Sequence, residues 1–198
     1  MRKKNIGVLA FHGDVVEHIK TTEKAIKNLK LQLSVIPVRT KEEVESCIGL
    51  IIPGGESTTL DKLCRRENMY QAMKKLKGIF GTCAGAIMLA KHILHKTPEQ
   101  QTLELMDITI DRNAYGRQTE SFQKNIQTEF GEMSAIFIRA PKIMKVGKNV
   151  KILAKDGNEI LACEEIVNNT FCISLTFHPE LTSTAYHEYF LNRTLSSS

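Results

Sequence analysis

"GIFGTCAGAIMLA", residues 78–90, sets a cysteine among glycines where an apolar run changes character. Residues 78–83 read as a short buried strand and residues 84–94 as a helix. The turn between them, Gly81-Thr82-Cys83-Ala84-Gly85, has the G-x-nucleophile-x-G form of a strand-to-helix elbow. An elbow of this kind lifts one side chain above the sheet edge, and bulk beside it would collide with it. Cys83 then stands at a helix N-terminus, where unpaired N–H groups and the helix dipole favour a thiolate. The Ala84 N–H faces the reacting carbon and could hold an oxyanion. A buried structural cysteine at a tight turn is the other reading these residues leave open.

Toward the N-terminus, "NIGVLAF" (5–11) reads as a strand ended by His12-Gly13. Val15, Ile19, Ala25, Ile26 and Leu29 then recur at helical spacing, with Asp14 as a cap. Residues 31–38 and 47–55 read as two further strands, the second broken by Pro53-Gly54-Gly55, and residues 57–77 as helix in one or two pieces. Apolar strands alternating with helices predict a parallel sheet covered on both faces. The C-terminal half is richer in strands, at 103–110, 134–140, 150–155, 159–166 and 170–177. A last helix spans about 182–194, and residues 195–198 read as frayed. No repeat or low-complexity linker interrupts this order, which predicts one domain over 1–198.

The 198 residues carry 27 Lys+Arg against 22 Asp+Glu, a net charge of +5, with both signs mixed along the chain. No basic run is interleaved with aromatics, which argues against nucleic acid. No apolar stretch is long enough to cross a membrane. The five cysteines are odd in number and irregularly spaced, with no C-x-x-C pair. That argues against a disulfide framework or zinc knuckle and for a reducing, cytoplasmic setting. The opening "MRKKNIGVLAFHG" is too short in its apolar part for a secretory leader.

A cysteine nucleophile needs a base. His178, in "LTFHPEL", ends an apolar strand, and Glu180 follows two residues later on the same side of an extended segment. Glu180 could orient the His178 ring toward Cys83, although a lone histidine before proline is also an ordinary structural or surface residue. His12, His18 and His187 have no comparable setting, and His92 and His95 read as a helix face rather than a metal pair. Pro53-Gly54-Gly55-Glu56-Ser57 lies at the C-terminal end of a parallel-type strand, where α/β folds place their sites. Its glycines could present a second oxyanion donor. Taken alone, the segment reads as a plain turn before a helix capped by Ser57.

Together, P-G-G-E-S, G-T-C-A-G and F-H-P-E resemble the class I glutamine amidotransferases, with their Cys-His-Glu triad. "GESTTL", "FGTCAGAIMLAK", "LMDITIDRNAYGRQTESF", "FIRAP" and "SLTFHPELT" sharpen the resemblance to the glutaminase subunits of pyridoxal 5′-phosphate synthase, over nearly the whole chain. The resemblance implies a flavodoxin-like three-layer α/β sandwich with a mostly parallel central sheet. It implies hydrolysis of L-glutamine to glutamate and ammonia without a cofactor or metal. Cys83 would be the nucleophile, His178 the general base and then acid, and Glu180 its orienter. Gly55, Glu56, Ser57, Arg112, Ile138 and Arg139 would line the glutamine site, and backbone N–H groups at Gly54 and Ala84 would form the oxyanion hole. The implied partner is a (β/α)₈ lyase subunit in a hetero-oligomer, which receives the ammonia and whose docking activates the glutaminase, with the Gly54-Gly55 peptide as a switch. Where the family commonly has Leu-Gln-Gly, this chain has Phe11-His12-Gly13, and residues 95–106 depart from the usual short loop. A glutaminase for another acceptor, a cysteine peptidase or chaperone of the same superfamily, and a catalytically silent docking module are the weaker alternatives.

Overall fold

A computed structural model describes residues 4–114 and 121–196. Four parallel pairings join β1 (Lys4–Leu9), β2 (Leu33–Val38), β3 (Cys47–Ile52), β4 (Gly78–Thr82) and β12 (Thr170–Leu175) in the order β2-β1-β3-β4-β12. Every residue of β4 and of β12 is buried, as expected for strands covered on both faces. Pro37 sits in β2, the edge strand, where its missing N–H breaks no ladder. Antiparallel pairing carries the sheet onward through β11 (Glu159–Val167), β10 (Lys151–Asp156), β7 (Phe122–Thr128) and β8 (Gly131–Phe137). A side branch holds β5 (Ala90–Leu94), β6 (Met106–Asp111) and β9 (Lys142–Val146).

Alternation along β3 sends Leu50 and Ile52 to one core and Ile51 to the other. The first core packs against α3 (Ser57–Arg66), α4 (Tyr70–Met73) and α5 (Ala84–Leu89); the second packs against α1 (Val15–Asn28) and α6 (Ala185–Ser196). This is the expected three-layer sandwich, with an antiparallel extension on its far side.

Several boundaries differ from the sequence reading. The helix after Cys83 stops at Leu89, not residue 94, and Ala90, buried like all six helix residues, opens strand β5. Its last carbonyls are taken by chain from elsewhere: Leu103 N donates to Met88 O at 2.8 Å and Leu105 N to Leu89 O at 3.1 Å. His92 and His95 therefore lie on and just after strand β5, not on a helix face, and His95 Nδ1 pairs with Asp111 at 2.9 Å. The short helix α2 (Lys41–Glu45), closed by a Thr40–Glu43 capping box, and strands β7 and β9 lay outside the sequence reading. The last helix begins at Ala185 and holds Leu195 and Ser196, while residues 197–198 lie outside the described set. So do residues 115–120 of the "DRNAYGRQTESF" motif. No helix among the described residues is long and apolar enough to cross a membrane.

Candidate active site

The elbow exists and is strained. Cys83 has φ 50° and ψ −107°, outside the regions open to L-residues. Its flanking glycines are dictated by contact: a Cβ on Gly81 would lie 2.4 Å from the Gly85 carbonyl oxygen, and one on Gly85 would lie 2.0 Å from that of Ile52. The Cys83 N–H donates to Leu175 O at 2.9 Å, which ties the elbow to β12. Its Sγ leans on the Ile138 carbonyl at 3.7 Å. Ala84 is the first residue of α5, so its N–H has no acceptor within the helix.

His178 follows β12, and its N–H is held by Ile136 O at 2.9 Å. A 3₁₀ turn, Pro179–Leu181, then brings Glu180 back onto the ring, with Oε1 2.7 Å from Nδ1. The pairing expected of an extended i, i+2 relation is thus made by a turn. A second carboxylate shares the same nitrogen: Asp14 Oδ2 lies 3.0 Å from it. Asp14 precedes α1 but makes no side-chain cap bond, so the expected cap is instead an imidazole partner. Burial pushes the His178 imidazole down, but Asp14, Cys83 and Glu180 outweigh it, and the ring is pushed up to about 12. Burial opposes the charge on Glu180 as well; the histidines His18 and His178 prevail and hold its carboxyl far below the usual range. His178 Nε2 is buried and makes no hydrogen bond among the described residues. Gly54 lies beside it: a Cβ there would be 2.6 Å from His178 Cε1 and 3.4 Å from Cys83 Cβ.

These groups border a cleft of about 510 Å³, lined among others by Gly55, Glu56, Ser57, Cys83, Ala84, Arg112, Ile138, Arg139 and His178. Gly54 and Glu180 stand behind that lining, Gly54 against the His178 ring and Glu180 beneath it. Every expected site residue therefore lies in or directly against one cleft. Glu56, not Ser57, caps α3: its carboxylate accepts from Thr58 N at 3.0 Å and Thr59 N at 2.7 Å. Burial pushes its carboxyl up, but those bonds outweigh it and bring it down to about 2. Arg112 is fixed by Glu56 Oε1 at 2.9 Å, Thr58 Oγ1 at 2.9 Å and Gln100 Oε1 at 2.5 Å. Gln100 in turn donates to Ser57 Oγ at 2.9 Å. Its segment is pinned to α3 by Asp61, which accepts from Gln101 N, Tyr70 Oη and Arg65.

Gln100, Thr58, Asp14 and His18 are thus site components that the sequence reading missed. Asp14 and His18 carried a weak signal in their helical i, i+4 spacing. Gln100 carried none, since its role depends on where a loop lands. His12 packs its ring against Gly55, where a Cβ would lie 2.2 Å from Nδ1.

Residues 8–196 match the SNO glutamine amidotransferase family. A pyridoxal 5′-phosphate synthase subunit PdxT from Thermococcus gammatolerans is 42% identical over 96% of this chain and 98% of its own length. The subunit of that name from Pyrococcus furiosus is 43% identical over 95% and 98%. A crystal structure of a glutamine amidotransferase superposes with a TM-score of 0.82 at 39% identity, covering 96% of this chain and 98% of the other. With its elbow, its histidine–glutamate pair and this similarity running from the first strand to the last helix, the chain belongs to the SNO glutamine amidotransferase family.

Proposed function

We propose that the chain, acting as one domain over residues 1–198, hydrolyses L-glutamine to L-glutamate and ammonia. The ammonia passes to the lyase subunit of a pyridoxal 5′-phosphate synthase. The observation that carries this reading is Cys83 on a strained elbow beside a buried His178–Glu180 pair.

Cys83 gives its proton to His178 Nε2, and the Asp14 and Glu180 carboxylates at Nδ1 favour the resulting imidazolium. The thiolate attacks the carboxamide carbon, and the tetrahedral oxyanion is received by the Ala84 N–H and the glycine turn at Gly54. His178 then protonates the leaving nitrogen, and ammonia departs from a thioester. Water loses a proton to His178, attacks the thioester and releases glutamate, and the thiol is restored. Arg112 and Arg139 supply positive charge for the substrate α-carboxylate, and Glu56 negative charge for its α-ammonium, with Gly55, Ser57 and Ile138 shaping the walls.

Ammonia is a nucleophile only while unprotonated, which favours delivery to a docked acceptor over release into water. The names of the relatives support a synthase partner, and a (β/α)₈ lyase in a hetero-oligomer is the form we assign to it. All five cysteines are free, which fits a reducing, cytoplasmic setting.

The test is glutamate release from L-glutamine by the purified chain, with and without the lyase subunit, beside Cys83→Ala. Partner-stimulated release that vanishes with Cys83 is expected. A folded complex that releases none sinks the glutaminase reading, and release indifferent to the lyase sinks the choice of acceptor.

A further inference from the structure

Asp14, just before α1, and His18 and Thr21 within it each touch the 178–180 turn. Asp14 reaches His178 Nδ1 at 3.0 Å, His18 Nε2 lies 3.4 Å from Glu180 Oε1, and Thr21 Oγ1 donates to the Glu180 carbonyl at 2.9 Å. His18 and the Glu180 side chain are both fully buried, and Glu180 Oε2 has no partner among the described residues. His18 and His178 are thus the side chains placed to compensate this buried carboxylate. A buried charge that loses a donor carries a full desolvation penalty.

Behind His18 stand two more polar groups. Thr82 Oγ1, on β4 beside the nucleophile, is 3.1 Å from His18 Nε2. His187 Nε2, on α6, is 3.0 Å from His18 Nδ1. His187 is wholly buried, burial holds it neutral, and its Nδ1 has no partner among the described residues. A neutral ring has one N–H. Placed on His187 Nε2, that proton leaves the unpartnered Nδ1 as a bare acceptor, which is cheaper to bury than an orphaned donor. His18 Nδ1 then accepts, which puts the His18 N–H on Nε2, 3.1 Å from Thr82 Oγ1 and 3.4 Å from Glu180 Oε1.

We propose that His18 is a positioning residue for the glutamine hydrolysis read above: it donates from Nε2 to Glu180, and the His187 N–H fixes the tautomer that lets it do so. His18 and His187 are absent from the cleft lining, so they act on the base and not on the substrate. The proposal extends the triad rearward by two histidines from two helices on one face of the sheet.

The test compares His18→Leu, which removes the donor, with His18→Gln, whose amide can restore it, in the chain with its lyase partner. The expected result for His18→Leu is a kcat lower by roughly 10- to 100-fold, the rate equivalent of one hydrogen bond to a charged group. KM should stay within about twofold, and the acid limb of the pH–rate profile should move to higher pH, because a Glu180 with one donor fewer protonates more easily. His18→Gln should recover most of the kcat and the original limb. His187→Leu should lower kcat in the same direction by less, and it reads the same chain should His18→Leu not fold. A folded His18→Leu with unchanged kcat and pH limb overturns the proposal. So does an equal loss in Leu and Gln that follows only thermal stability. Alkylation of Cys83 by iodoacetamide at neutral pH gives a readout without turnover, with Cys83→Ala as its blank. It should slow in His18→Leu and recover in His18→Gln, and an unchanged rate refutes the coupling. Wild-type protein that alkylates normally yet releases no glutamate would fault the glutaminase reading and leave this test standing.

Discussion

The strain at Cys83 can be measured apart from its chemistry. At φ 50° and ψ −107° an L-residue carries a cost of about 2 kcal/mol, within the usual span for such backbone. Alanine keeps a Cβ and therefore keeps that strain; glycine does not. Cys83→Ala and Cys83→Gly both lack the sulfur, so comparing them isolates the backbone. Glycine loses about 1 kcal/mol through the greater entropy of the unfolded chain and about 0.8 kcal/mol for the missing buried methyl. Relief of strain offsets nearly all of this, and the two variants should be equally stable to within about 1 kcal/mol. Ala86→Gly supplies the reference, because Ala86 is fully buried in α5 and unstrained, so the same two losses apply with no relief. It should cost about 2 kcal/mol, a difference of roughly 5 °C in Tm for a chain of this size. Urea unfolding and calorimetry on the four proteins, including the parent, give the comparison. If glycine at 83 proves as costly relative to alanine as glycine at 86, the elbow stores no strain and the reasoning fails.

Gly54→Ala puts a Cβ 2.6 Å from His178 Cε1, so kcat should fall at least tenfold through a displaced base while urea stability changes little; steady-state kinetics beside unfolding curves check both. Gly85→Ala drives a Cβ to 2.0 Å from the Ile52 carbonyl oxygen, backbone against backbone, and should destabilise by about 3 kcal/mol, read as a shift of the urea midpoint at constant m. Arg112→Lys loses the planar fork that Glu56, Thr58 and Gln100 hold, so KM for glutamine should rise about tenfold with kcat nearly unchanged, measured by glutamate release. The Glu180 carboxyl titrates far below its ordinary 4.5 in the folded state, so its contribution to stability is complete above that pH and drains as the pH falls. His178 is the opposite case, complete below its ordinary 6.5 and lost as the pH climbs toward 12. Unfolding free energy against pH should therefore lose part of its acid slope in Glu180→Gln and part of its alkaline slope in His178→Gln.

The parallel half of the fold was legible because its strands are buried on both faces and write themselves as largely apolar runs, such as residues 47–52 and 170–175. Strands β7 and β9 write no such run. Of the seven residues in β7 only Ile126 is buried, and of the five in β9 only Ile143. A half-exposed antiparallel strand leaves alternation too weak to separate from loop. The helix after Cys83 was drawn too long for the converse reason. "AGAIMLAKHIL" is apolar throughout its first part, and a helix buried all round gives no period by which to see it end. Its end is set by residues 103 and 105 arriving to take its carbonyls, an event distant in sequence.

The site divides along the same line. Cys83 with its glycines and Gly54-Gly55 were readable because each answers a local demand of the backbone, a close approach or a positive φ, and His178 and Glu180 because they stand two residues apart, although a 3₁₀ turn and not an extended segment joins them. Groups that hold those residues from behind answer no local demand. Asp14 before α1 and His18 and Thr21 within it are ordinary residues until α1 packs over the 178–180 turn, and His187 is an ordinary residue of α6 until it meets His18. The His178 imidazolium is favoured by two carboxylates, Glu180 from its own turn and Asp14 from just before α1, and the buried Glu180 is compensated by His178 beside it and His18 from α1. Support for the base therefore also comes from Asp14 and His18, at the start of α1 and within it, which reach it only through the tertiary fold. A change that shifts α1 against the sheet, with every motif residue intact, would move the base's protonation and the nucleophile's reactivity together.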